Sequence, residues 1–209
     1  MPRLPAPRRE DMSAFEPLFR SIEEVMGFVP NSLLTMARRP DMLSALMALW
    51  NTVFGADTGI DPGLKQLIAH VASRAAGCRY CAAHTAHSAR RAGVDVARIE
   101  AVWDYETSPL FGEDERAALT LAQRAALVPN AVTDADFDRL RAHFDDDQIL
   151  EVTGVIAVFG FLNRWNDTLA TEIEAAPWQF GARHLAASGW SAGKHAVNAS
   201  DDSQEGSET

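Results

Sequence analysis

Hydrophobic positions along most of the chain repeat every three or four residues, which is the spacing of an amphipathic α-helix. The first clear example runs from Phe15 through Ile22 to Val25, and Gly27 follows it as a stop signal. Comparable segments begin at Pro30, Pro40, Asp61, Cys78, Asp95, Gly112, Thr133, Asp145 and Pro177. The sequence lacks the alternating Val and Ile runs and the Asn-Gly turns that are typical of β-hairpins. The pattern therefore predicts an all-α fold of about eight or nine helices.

One long segment, residues 149–173, has a middle part, residues 152–162, that is apolar on every side. Composition alone would also allow a strand there. The length of the segment and its polar continuation through residues 163–167 favour a buried central helix instead. Polar side chains in that continuation, such as Asn163 and Asn166, need hydrogen-bond partners, so we expect them to face a cavity or a helix junction.

The two ends of the chain differ from this helical body. Residues 1–10 are rich in Pro and Arg and are expected to form an N-terminal arm. Residues 196–209 contain mostly Ser, Asp, Glu, Gly and Asn, and we expect them to form a disordered acidic tail, because so few apolar groups cannot offset the entropy of ordering. Residues 11–195 are then a single helical domain, as the length of 209 residues also suggests.

Charge and hydropathy exclude several classes of function. The net charge of −10 argues against nucleic acid, which is bound through clustered basic residues. No run of 18 apolar residues is present, and the first residues lack the apolar stretch of a secretory signal. We therefore expect a cytoplasmic protein that binds neither nucleic acid nor membranes.

The sequence contains only two cysteines, in the segment Cys78-Arg79-Tyr80-Cys81. In a reducing compartment, such a close pair is redox-active or metal-binding more often than structural. Because Cys78 follows Gly77 and opens a helix, the two sulfurs share a helix face, and the helix N-terminus is expected to lower the thiol pKa. His84 and His87 continue the spacing and would suggest a metal site. Four such positions drift around a regular helix, however, so we expect no metal.

The surroundings of the dithiol resemble a known family. The resemblance lies in Gln66-Leu67-Ile68-Ala69, in Ser73, in the stretch from Gly77 to His84, and in Phe161-Leu162-Asn163-Arg164. These segments resemble the carboxymuconolactone decarboxylase/alkylhydroperoxidase D-like superfamily, in particular its uncharacterised peroxidase-related branch.

This resemblance implies an alkylhydroperoxidase D-like helical bundle that forms a homo-oligomer and needs no cofactor. It also implies a dithiol that cycles to a disulfide and is restored by an external dithiol reductant. Decarboxylation is not implied, because members acting on the lactone generally lack the dithiol. A subunit contact through Trp190 is one expectation, and a Trp190 that covers the protein's own core is the alternative.

The well-studied members carry a proton relay, from which this sequence departs. The relay consists of a Glu twelve residues before the first Cys, a His directly before the second Cys, and a His four residues after it. Here Gln66, Tyr80 and Thr85 hold these positions. Neither Gln nor Thr is a useful base, and Tyr is protonated at neutral pH. His84, one turn after Cys81, and His70, one turn after Gln66, are the candidate substitutes, whereas His87 is expected at the surface.

The sequence thus predicts a thiol-dependent peroxidase-type oxidoreductase acting on a hydroperoxide or disulfide substrate. The predicted catalytic residues are Cys81 as the attacking thiol, Cys78 as the resolving thiol and His84, with support from Gln66, His70, Tyr80 and Asn163. Two alternatives stay open: a thiol-disulfide reductase without peroxidase activity, and a non-catalytic redox-sensing module.

Overall fold

A computed structural model describes residues 1–55 and 59–196, and all of the regular secondary structure in these ranges is helical. The α-helices are α1 Glu16–Met26, α2 Asn31–Met36, α3 Pro40–Phe54, α4 Pro62–Ala75, α5 Arg79–Arg91, α6 Val96–Ala101, α7 Glu113–Ala125, α8 Asp134–Arg141, α9 Asp146–Leu169 and α10 Ala175–His184. Short 3-10 helices cover Arg9–Phe15, Val102–Asp104, Ala186–Ser188 and Gly193–His195. The predicted acidic tail lies outside the described residues, apart from Ala196.

The all-α prediction is confirmed, with ten α-helices in the described ranges instead of eight or nine. The segments predicted to begin at Pro30 and Asp95 are α2 and α6, which have only six residues each. No helix in these ranges combines the length and the hydrophobicity needed to span a bilayer, although α9 has 24 residues.

Local sequence signals determine where the helices α4 and α9 begin. Asp61 caps α4 by accepting a hydrogen bond from the Leu64 N–H at 3.0 Å, with Pro62 in the first turn. Asp145 caps α9 in the same way through the Gln148 N–H at 2.9 Å. Such side-chain oxygens satisfy backbone donors that have no partner within the helix.

The core is built around α4, α5 and α9, with α7 packed on the outer side of α4. The first two form an antiparallel hairpin, since Gly63 at the start of α4 lies beside Ala92 and Val94, which follow the end of α5. Leu67 and Ile68 of α4 are fully buried. Burying such a side chain contributes roughly 1.5–3 kcal/mol, so this central layer contributes much to the stability of the fold.

The end of α9 was predicted at residue 173 but lies at Leu169, where Ala170 takes a left-handed conformation with φ of 51°. The N-terminal arm reaches this end, because the Arg3 N–H donates to the Leu169 carbonyl at 2.8 Å. The early end leaves residues 170–174 as a loop before α10, and this loop approaches the start of α5.

Candidate active site

The two cysteines occupy the first turn of α5, and both are free and buried, with 1% and 2% of their surfaces exposed. Cys78 is the residue before the helix, and its sulfur accepts a hydrogen bond from the Cys81 N–H at 3.4 Å. Gly77, with φ of 77°, makes the turn from α4. The predicted helix start is therefore confirmed, and one thiol serves as the cap of the helix that carries the other.

The pKa of Cys81 lies well above its ordinary value, opposite to the shift expected from the helix N-terminus. Burial is the main cause, and the neighbouring Cys78 raises the pKa further. Asn166 of α9 acts against this trend by donating from Nδ2 to the Cys81 sulfur at 3.4 Å. The sequence argument was wrong for Cys81 because it considered the helix terminus and not the loss of solvent.

Cys81 lines a cavity of about 570 Å³ between α1, α3, α4, α5 and α9, whereas Cys78 is not among the residues that line it. The walls are largely apolar. They include Leu18, Ile22, Val25, Met26, Leu33, Leu46, Met47, Trp50, Phe54, Phe159 and Leu162. Trp50 and Phe54 stack with ring centroids 4.2 Å apart, and Phe159 meets Phe54 edge-on at 6.1 Å. A cavity of this size and lining fits a small apolar or aromatic molecule.

Glu174, which the sequence analysis did not identify, is the residue that connects the polar groups at this cavity. Its Oε2 lies 2.5 Å from His84 Nε2, and its Oε1 accepts from the Tyr80 hydroxyl at 2.9 Å and from the Asn31 N–H at 2.5 Å. Tyr80 and His84 also stack on each other at 4.2 Å. Both of these side chains line the cavity together with Cys81.

The surroundings of Glu174 favour its ionised form. Burial alone would raise its pKa, but the charge and hydrogen bond of His84, together with the Asn31 N–H, outweigh it and hold the pKa below the usual range. The pKa of Tyr80 is raised well above its usual value by burial and by the Glu174 carboxylate, so its hydroxyl is a donor and not a base.

The remaining predicted residues divide into those at the cavity and those behind it. Gln66 lines the cavity. His70 of α4 is completely buried against α5, where its Nδ1 lies 2.8 Å from the Ala82 carbonyl and 3.2 Å from the hydroxyl of Thr85. Asn163 is also buried, and neither polar atom of its amide has a hydrogen-bond partner. The structure therefore brings Gln66 to Cys81 but does not bring His70 or Asn163 to the cavity wall.

His87 was expected at the surface, but it is half-buried between the rings of Phe28 and Phe180. Arg79, which lies between the two cysteines, donates hydrogen bonds to Ser191.

Trp190 was expected either at a subunit contact or over the protein's own core. Its packing on the core is seen in the single chain, and the subunit contact stays a prediction. Its Nε1 donates to the Arg79 carbonyl at 2.9 Å, and its ring lies so close to Gly181 that an added Cβ would be 2.9 Å away. Trp190 therefore covers the protein's own core.

Fold and site together define an all-helical protein with a CxxC dithiol at the start of a helix, beside an apolar cavity. The chain belongs to the carboxymuconolactone decarboxylase/alkylhydroperoxidase D-like superfamily. The model of the carboxymuconolactone decarboxylase family matches residues 40–124, which include α3, α4 and the whole of the dithiol helix.

Solved structures extend this likeness over most of the chain. The debrominase Bmp8, solved as a cysteine-to-alanine variant with 2,3,4-tribromopyrrole, is 35% identical with a TM-score of 0.81, over 86% of this chain and 96% of its own. An uncharacterised peroxidase-related protein from Ralstonia eutropha JMP134, described as an alkylhydroperoxidase AhpD core, is 26% identical with a TM-score of 0.76, over 84% and 94%. The uncharacterised protein YnjA of Escherichia coli K12 is 31% identical, but the match spans 53% of this chain and only 60% of YnjA.

Proposed function

We propose that the protein is a dithiol oxidoreductase of the peroxidase type, which reduces an apolar organic hydroperoxide at Cys81. The observation that carries this proposal is that the Cys81 thiol lines an apolar cavity together with His84, whose imidazole is bonded to Glu174. A nucleophile, a base with an orienting carboxylate, and space for an apolar substrate are thereby gathered at one place.

The first step is the attack of the Cys81 thiolate on the terminal oxygen of a hydroperoxide. The O–O bond breaks, the sulfur becomes a sulfenic acid, and the alkoxide leaves as an alcohol after it receives the proton that the thiol lost. Cys78 then attacks this sulfur, so that an S–S bond forms and the hydroxyl leaves as water with the Cys78 proton. An external dithiol reduces the disulfide and is itself oxidised to a disulfide.

The raised pKa of Cys81 means that this thiol needs a base before it can attack. His84 is the candidate, since the form of its imidazole without a second proton can donate from Nε2 to Glu174, take the thiol proton at Nδ1 and pass it to the leaving alkoxide. Glu174 would stabilise the imidazolium that forms in between. In this scheme Glu174, at the start of α10, provides the carboxylate that Gln66 lacks.

A second candidate reaction is reductive debromination of an aromatic ring, which the likeness to Bmp8 and the Trp50, Phe54 and Phe159 wall favour. The Cys81 thiolate would take the bromine from carbon to give a sulfenyl bromide, and the carbanion would take up a proton. Attack of Cys78 on the sulfenyl sulfur would then release bromide and form the same disulfide. Both reactions oxidise the dithiol by two electrons.

The decisive experiment is a titration of free thiols after addition of cumene hydroperoxide or 2,3,4-tribromopyrrole to the reduced protein. We expect two thiols to disappear with one equivalent of the true substrate, with a mass decrease of two hydrogen atoms. Cys81→Ser should abolish the reaction, and Cys78→Ser should consume one equivalent and stop at the sulfenic acid with the hydroperoxide, or at the sulfenyl bromide with tribromopyrrole. His143→Ala is the matched control, because His143 is exposed and lies outside the site.

Other outcomes identify the alternatives. Thiols that remain free with both compounds, but exchange with a small disulfide, would replace the proposal by a thiol-disulfide reductase. A change of oligomeric mass on oxidation without turnover would indicate a redox-sensing module.

A further inference from the structure

The loop that carries Glu174, residues 170–174, has no regular structure of its own and therefore depends on outside partners. The Thr171 N–H still donates to the Asn166 carbonyl of α9 at 3.1 Å, but the following residues leave the helix. On one side, Asn31 binds the loop, since its Nδ2 donates to the Glu172 carbonyl at 3.0 Å. The position of the Glu174 carboxylate beside His84 therefore depends on the contacts that hold this loop.

His195 holds the loop from the other side. It is 1% exposed, although it belongs to the last described segment of the chain. Its Nδ1 donates to the Thr171 carbonyl at 2.7 Å, and its own carbonyl accepts from the Ile173 N–H at 3.0 Å. The imidazole ring also lies 5.9 Å from the ring of Tyr80, the second side chain that donates to Glu174.

The segment around His195 is itself fixed to α5, the helix that carries the dithiol. Trp190 donates to the Arg79 carbonyl in the first turn of that helix, and the Trp190 ring lies against Gly181 of α10. The segment from Trp190 to His195 is thus a strap that binds the start of α5, α10 and the Glu174 loop to one another.

We propose that His195 is a positioning residue, which holds Glu174 at its distance from His84 and Tyr80 through its Nδ1 hydrogen bond to Thr171. His195 does not line the cavity and is not expected to touch substrate. Its effect on catalysis passes through the loop. The inference rests on the proposed function only where turnover is measured. The geometry of the Glu174 contact can be measured without a substrate.

The test compares His195→Ala with His195→Asn, using His143→Ala as the control. The alanine variant removes the side-chain donor but keeps the backbone bond to Ile173, whereas the asparagine amide can donate from nearly the same place as Nδ1. We expect turnover with the true substrate to fall about 10- to 100-fold in His195→Ala, as is typical when a catalytic group is displaced by about 1 Å. His195→Asn should recover most of this loss.

Two further measurements separate positioning from simple destabilisation. The His84 N–H that bonds to Glu174 should give an imidazole proton resonance protected from solvent exchange, which is present in the wild type and His195→Asn but absent in His195→Ala and Glu174→Gln. Adding His195→Ala to Glu174→Gln should lower turnover by no more than about twofold, since both changes act through one group.

The outcomes are distinct from those of the proposed function. If neither hydroperoxide nor bromopyrrole is turned over, the resonance still decides the inference. A resonance that persists in His195→Ala, equal losses in the Ala and Asn variants, or multiplicative losses in the double variant would each overturn it.

Discussion

Acidification should destabilise the protein through His70, which is completely buried between α4 and α5. Its Nδ1 donates to the Ala82 carbonyl at 2.8 Å, and its Nε2 has no hydrogen-bond partner. A second proton would therefore place an N–H without an acceptor, and a positive charge, in the core. Burial, with a smaller effect of the Arg74 charge, lowers the pKa of His70 to about 4.

The sign and size of the effect follow from proton linkage. Unfolded histidine has a pKa of about 6.5, so between pH 6.5 and 4 the unfolded chain binds the proton that the folded protein refuses. Stability contributed by this group is complete above pH 6.5 and is lost as the pH falls toward 4. A difference of about 2.5 pKa units corresponds to roughly 3 kcal/mol in full, of which about 2 kcal/mol is lost between pH 7 and pH 5.

Urea unfolding of the wild type and of His70→Asn at pH 7 and pH 5 measures the stability that protonation of His70 removes. The asparagine keeps a donor for the Ala82 carbonyl and does not titrate, so we expect His70→Asn to be less stable at pH 7 but to lose about 2 kcal/mol less on acidification. Exposed His143→Asn should lose as much as the wild type. An equal pH dependence in the wild type and His70→Asn would refute the assignment of a neutral, buried imidazole.

Three other predictions follow from the site and the surface. Gln66→Glu should leave peroxide turnover nearly unchanged if the start of α10 already supplies the carboxylate, and a gain of about 10²-fold would show that it does not. Trp50→Ala should raise KM for an aromatic substrate by roughly 10-fold or more while kcat stays similar, because a stacking wall is lost. Light scattering should show a homo-oligomer at micromolar concentration, with an interface of about 2,000 Å² or more in total. We expect the variant Ala157→Arg, on the exposed face of α9 beside Phe161, to be monomeric. A monomeric wild type would contradict this prediction.

The sequence predicted those parts of the molecule that depend on local pattern. Helical periodicity identified α4, α5 and α9, and Gly77 followed by the dithiol marked the start of α5. The apolar middle of α9 was correctly taken for a helix despite its strand-like composition. The end of α9 could not be predicted, because a left-handed Ala170 has no sequence signal comparable to a glycine.

The most consequential omission was Glu174, which lies 90 residues from its partner His84 in the chain. Locally it is an acid shortly before Pro177, and that pattern predicts only a helix start. Its role depends on how the 170–174 loop folds back onto α5, and a single sequence gives no signal of that contact. The predicted lowering of the Cys81 pKa was wrong for a related reason, because burial of Cys81 depends on the tertiary structure.

The geometry of the dithiol bears on which cysteine attacks, a choice that spacing alone left open. Cys81 lines the cavity, so a substrate held there meets its sulfur first. Cys78 does not line the cavity and instead receives the Cys81 N–H, which places its sulfur near the unpaired donors of the helix N-terminus. In the proposed scheme, Cys78 is therefore held where its sulfur can attack the oxidised Cys81. The placement of the two sulfurs is thus the reason for proposing Cys81 as the attacking thiol, with His84 as its base, and Cys78 as the resolving thiol.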